Sequence, residues 1–138
     1  MKILILNGPN LNLIGSREPE VYGTDNFDSM MKELAKQFPQ IEFVYFQSNV
    51  EGELINKLHE VGFSFDGIVF NPGGYTHTSV ALGDAVKAIK TPVVEVHLSH
   101  VMKREEFRHI SFISPAAAGT ISGFGMRGYV LAIQSFLK

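Results

Sequence analysis

The chain of 138 residues contains no cysteine. It therefore has no disulfide, no thiolate nucleophile and no Cys-ligated zinc or iron–sulfur centre to build a function on. Charge is sparse as well: Asp, Glu, Lys and Arg make up 19% of the residues, and the net charge is −2. Without a basic stripe or a Lys/Arg cluster, the chain is a poor fit to a nucleic-acid or membrane-surface binder. Long apolar runs are also missing. The first, Ile3-Leu4-Ile5-Leu6, stops at Asn7-Gly8-Pro9-Asn10 and is too short for a signal peptide or a membrane span. A cytoplasmic location is the expectation. Neither a Walker pattern nor GxGxxG occurs, which removes two common phosphate-cradling loops.

What remains is an ordinary globular composition, 45% hydrophobic, at a length that suits one domain spanning residues 1–138. Lys2 to Asn7 reads as a central parallel strand buried on both faces. Phe27, Met30, Met31, Leu34, Ala35 and Phe38 fall at helical spacing, and Pro39 closes that helix. Ile41 to Phe46 is a second strand. Ser48-Asn49-Val50-Glu51 has capping-box spacing ahead of a helix carrying Leu54, Ile55, Leu58 and Val61. Ile68 to Phe70 is a third strand, followed by a helix with Leu82, Ala85, Val86 and Ile89 inward. Val93 to His97 is a fourth. A polar segment from Ser99 to His109 leads to a short strand between Ile110 and Ile121. A last helix turns Met126, Tyr129, Val130, Ile133 and Leu137 inward. Five strand–helix alternations without repeat or linker predict an α/β fold. The expected sheet is parallel and flavodoxin-like, in the order 2-1-3-4-5, with helices on both faces.

In such a sheet the ligand lies beyond the carboxyl ends of the strands, so the loops after Asn7, Phe70 and His97 are where chemistry belongs. The first of these wanders for about a dozen residues, far longer than a usual strand-to-helix connection. It places Arg17 five residues before Tyr22, and it reads as a mobile lid carrying a base. A free phenol titrates near pH ~10, and an adjacent guanidinium would favour the phenolate. Asn7 and Asn71 end strands 1 and 3 where a phosphorylation receiver needs carboxylates. An amide-rich, carboxylate-poor mouth suits a small, oxygen-rich anion. Strand 4 adds Glu95 and His97, two residues apart and so on one face. A carboxylate in a buried strand is costly unless paired. Accepting a hydrogen bond from the His97 ring would offset that cost and leave the outer nitrogen free to transfer a proton. A metal site on His97 and His100 is disfavoured by their spacing. His59, His100 and His109 read as surface residues without a role, and the residues alone would leave His77 and Arg108 as surface groups too.

Five stretches occur in order: Leu6-Asn7-Gly8-Pro9-Asn10-Leu11-Asn12-Leu13, Arg17-Glu18-Pro19 with Tyr22-Gly23, Gln47-Ser48-Asn49 with Glu51-Gly52, Asn71 through Ser79, and Glu95-Val96-His97-Leu98-Ser99. Together they resemble the type II 3-dehydroquinate dehydratases. The resemblance implies anti-elimination of water from 3-dehydroquinate through an enolate, with no metal, nucleotide or lysine imine. It implies Tyr22 as the base at C2, Arg17 lowering its pKa, and Asn10 holding the water that steadies the enolate oxygen. His97, oriented by Glu95, would protonate the departing C1 hydroxyl. Asn71, Ser99 and the backbone of Leu98 would grip the carboxylate, and His77 and Arg108 the ring hydroxyls. Asp84 would reach in from a neighbouring subunit of a homododecamer, a tetramer of trimers. A binding module on the same fold would need no acid and base facing one pocket, and a flavin carrier would be yellow.

Overall fold

The computed structural model describes residues 1–15 and 26–138. Arg17, Tyr22 and the lid expected around them lie outside the described residues. Five parallel strands, β1 (Lys2–Asn7), β2 (Glu42–Gln47), β3 (Gly67–Asn71), β4 (Val93–His97) and β5 (Gly119–Ser122), form one sheet in the order β2-β1-β3-β4-β5. This is the strand order expected from the sequence. Among the described residues there are four α-helices: α1 (Phe27–Gln37), α2 (Glu51–Val61) and α3 (Val80–Ala88) lie between successive strands, and α4 (Arg127–Phe136) follows β5. No helix among the described residues is long and apolar enough to cross a membrane.

Period-two alternation divides each central strand between two apolar layers. Ile3 and Ile5 of β1, Val69 of β3 and Val94 and Val96 of β4 pack against Phe27, Met30 and Leu34 of α1 and Tyr129, Ala132 and Ile133 of α4. Leu4, Leu6, Ile68, Phe70 and Val93 face the other way, onto Leu54, Leu58 and Val61 of α2 and Leu82, Ala85 and Val86 of α3. Burial from both sides explains why β1 reads as one uninterrupted apolar run.

Several local expectations need correction. Ala35 is exposed, because the buried stripe of α1 is only Phe27, Met30 and Leu34 wide. The capping box at Ser48 does not form. α2 starts two residues later than that motif requires, with Val50 as its N-cap, and the Ser48 hydroxyl accepts from the Val50 N–H at 2.9 Å. Glu51 is engaged elsewhere: its carboxylate accepts from Ser79, the N-cap of α3, at 2.5 Å. The fifth strand sits at the late end of its predicted window, after two 3-10 turns at Val101–Lys103 and Glu106–His109 and a third at Ser114–Ala116.

The carboxyl ends of β1 and β3 are drawn tightly together. Asn7 and Asn71 are register partners, and the Gly8 N–H donates to the Asn71 carbonyl at 2.8 Å. A Cβ on Gly8 would lie 2.4 Å from the Pro72 carbonyl oxygen, so only glycine permits this approach. Gly73, across from Pro9, has φ of +61°, again a glycine conformation.

Candidate active site

One cleft opens where the loops after β1, β3 and β4 meet, lined by Asn10, Asn71, His77, His97, Leu98, Ser99, Arg104 and Arg108 with Pro9, Gly73 and Gly74. It lies at the switch point of the sheet, between the strands whose connections run to opposite faces. Of the described residues singled out from the sequence, all but Glu95 and Asp84 line it. Glu95 stands behind His97 and borders a second cavity on the far side of that ring. Asp84 is exposed on α3 and lines neither cavity.

Glu95 and His97 occupy the face of β4 shared with Val93, and both are buried, at 0% and 7% exposure. The imidazole Nε2 and the carboxylate Oε2 are 2.5 Å apart. The carboxylate accepts three further donors. Ser114 reaches Oε1 at 2.7 Å, Thr76 reaches Oε2 at 3.1 Å, and Ser111 lies 2.9 Å from Oε1 and 3.1 Å from Oε2. Burial pushes the Glu95 pKa up, but hydrogen bonding and charge from His97, with the serine hydroxyls, outweigh it. The carboxyl therefore sits below the ordinary carboxylate range and stays anionic. Nε2 is thereby committed to Glu95, so Nδ1 is the nitrogen available to a molecule in the cleft. This arrangement fixes ring orientation and tautomer together, the requirement for a general acid.

His77 stacks beside that ring, centroids 6.1 Å apart. Its Nδ1–H donates to the Ile110 carbonyl at 2.7 Å. Burial lowers its pKa, and the positive charges of His97 and Arg108 push the same way against the Ile110 carbonyl and Glu95. A neutral His77 with Nδ1 protonated presents Nε2 as an acceptor, suited to a hydroxyl. Arg108 lies over the Phe107 ring at 5.1 Å and donates through Nε to both oxygens of Glu105 at 3.3 Å. The Ser99 hydroxyl accepts from Arg104 at 3.2 Å.

On the first loop, Asn10 adopts φ of 70°, a left-handed conformation that asparagine tolerates better than most residues. Its N–H donates to the Asn49 side chain at 2.9 Å, tying this loop to the end of β2. Asn71 is 2% exposed and directs its amide between the Gly73 N–H and the Tyr129 hydroxyl.

Sequence reasoning overlooked Arg104 and the three hydroxyl donors to Glu95. Arg104 had one usable signal: it stands four residues before Arg108, in the polar segment that follows the Glu–His strand. Thr76, Ser111 and Ser114 had none, since they meet Glu95 only through long-range folding. His109 also has a partner, its Nε2 donating to the Arg104 carbonyl at 3.2 Å, where the sequence suggested none.

The family model for Dehydroquinase class II matches residues 1–137. A 3-dehydroquinate dehydratase of Bacillus licheniformis is 56% identical, covering 99% of this chain and 95% of that protein. One from Clostridium perfringens is 50% identical, covering 100% and 97%. Among solved structures, the type II dehydroquinase of Butyrivibrio crossotus superposes with a TM-score of 0.94 at 46% identity, covering 100% of this chain and 98% of that one.

Proposed function

The chain belongs to the class II dehydroquinase family, a 3-dehydroquinate dehydratase by its kin and its fold, and from that premise we propose how its residues divide the reaction. The enzyme is a hydro-lyase that removes water from 3-dehydroquinate in the shikimate pathway. The Tyr22 phenolate takes the C2 proton beside the ketone, with Arg17 favouring the ionised phenol. The electron pair moves onto the ketone oxygen as an enolate, which a water held by Asn10 steadies. Collapse of the enolate forms the ring double bond and breaks the C1–oxygen bond. His97, held by Glu95, delivers the proton that lets the oxygen leave as water. Asn71, Ser99 and the Leu98 backbone hold the carboxylate, while His77 and Arg108 hold the ring hydroxyls.

The observation that carries this reading is the Glu95–His97 pair, 2.5 Å apart and opening onto a cleft rich in amides and arginine. An anionic polyol is the ligand such a lining suits. Asp84, exposed on α3, is free of this chain's own cleft and serves that of a neighbour in a homododecamer, a tetramer of trimers working in the cytoplasm.

Mixing the enzyme with 3-dehydroquinate should raise ultraviolet absorbance as a conjugated enone forms. Borohydride added with substrate should leave the rate unchanged, and a trapped lysine adduct would overturn the mechanism. Tyr22→Phe should lower kcat by at least about a thousandfold while substrate binding persists. Retained turnover would reassign the base. A molar mass short of twelve chains by light scattering would remove the dodecamer.

A further inference from the structure

The mechanism leaves one buried polar side chain of α4 unused. Tyr129 is completely buried, and its ring meets Phe27 edge-on at 5.3 Å, as expected of a core aromatic. Its hydroxyl, however, sits at the carboxyl ends of β1 and β3. It donates to Asn7 Oδ1 at 2.7 Å and accepts from Asn71 Nδ2 at 3.0 Å. The chain of bonds continues at both ends. The Gly73 N–H donates to Asn71 Oδ1 at 3.1 Å, and Asn7 Nδ2 donates to the Tyr45 hydroxyl at 3.2 Å.

Every link in this chain has a forced direction. A backbone N–H only donates, so Gly73 fixes Asn71 Oδ1 as its acceptor and turns Nδ2 towards Tyr129. The phenol, already accepting from Asn71, gives its single hydrogen to Asn7. Asn71 then has one amide hydrogen left, and the residue is part of the cleft lining. Turning the amide over would set a donor against the Gly73 N–H. The arrangement needs register as well as chemistry. Asn7 and Asn71 are cross-strand partners at the ends of two alternating patterns, both facing the α1/α4 layer where Tyr129 arrives.

We infer that Tyr129, together with Asn7, is a positioning residue that locks the Asn71 amide with its free N–H towards the substrate carboxylate. The inference rests on the reading that Asn71 holds that carboxylate. Tyr129 itself touches neither substrate nor reacting atoms, and its effect is on binding.

The test is a double-mutant cycle on steady-state kinetics with 3-dehydroquinate. Asn71→Ala should raise KM about tenfold, the loss of one hydrogen bond to a charged group. Tyr129→Phe, which keeps the ring, should raise KM about fivefold and leave kcat within about twofold. The double variant should be no worse than Asn71→Ala alone. Effects that multiply in KM, or a fall in kcat with KM unchanged, would overturn the inference and leave the Asn71 assignment standing. An unchanged KM in Asn71→Ala would remove the assignment itself and the inference with it. Should Tyr129→Phe fail to fold, side-chain amide exchange of Asn71 in the unaltered enzyme decides by NMR. Slow exchange supports the lock, and exchange as fast as a surface amide refutes it.

Discussion

Two buried polar clusters flank the cleft, on opposite faces of the same sheet, and they are built from different chemistry. On the α2/α3 face, Glu95 gathers His97 and the hydroxyls of Thr76, Ser111 and Ser114 around one anionic carboxylate. On the α1/α4 face, Asn7, Asn71, Tyr129 and Tyr45 form a chain of neutral groups. Burial raises the pKa of both phenols there, so these groups stay uncharged through the physiological range. The first cluster suits the movement of a proton, because the fixed carboxylate holds the imidazole by Nε2 and leaves Nδ1 to the cleft. The second suits holding, because a neutral directional network orients an amide without changing charge. One sheet thus separates the group that reacts from the group that grips.

That contrast is most directly broken at His97. His97→Ala should reduce kcat by about a thousandfold, the range for a positioned acid. Exchange of the C2 hydrogen with solvent should survive, since proton abstraction belongs to another group. NMR in deuterated buffer reads both rates, and exchange lost in step with turnover would end the division of labour.

Next comes the charge behind the ring. Glu95→Gln keeps the shape, removes the anion and should cost about a hundredfold in kcat with KM little altered. It should also change acid stability. The native Glu95 pKa lies below the unfolded value of about 4.3, so its contribution is complete above that pH. That contribution is lost as pH falls through the lower native value. Denaturant midpoints measured from about pH 7 to pH 3 should therefore fall less steeply for Glu95→Gln than for the parent. The neutral cluster holds no group that titrates in this window, so Tyr129→Phe should shift the whole curve without changing its slope.

The smallest effect is expected at Ser114. Ser114→Ala removes one of the hydroxyls holding the carboxylate and should cost about 1–2 kcal/mol in chemical denaturation. kcat should stay within about threefold. The native Glu95 pKa should rise towards its unfolded value, and the acid loss of stability should begin at higher pH. A large kcat loss here would make the hydroxyls part of catalysis, beyond their hold on Glu95.

The five strands, their order and the apolar faces of the helices were legible because each is written in short-range periodicity that burial on a sheet enforces. The Glu95–His97 pair was legible for the same reason, two residues apart on one strand. Local motifs misled where a distant partner competed. The capping box at Ser48 looked complete until Ser79 claimed Glu51.

The amino-acid order by itself thus determined the layered sheet, the switch point and the acid pair, since these follow from spacing along single elements. Only the tertiary structure decided that Arg104 joins His97 in the cleft where the resemblance already put His77 and Arg108, that Ser111 and Ser114 close on Glu95, and that Tyr129 meets Asn71 across 58 positions of chain. Those contacts come from loops and helices brought together by packing, and no periodicity encodes which distant polar group a buried donor will find.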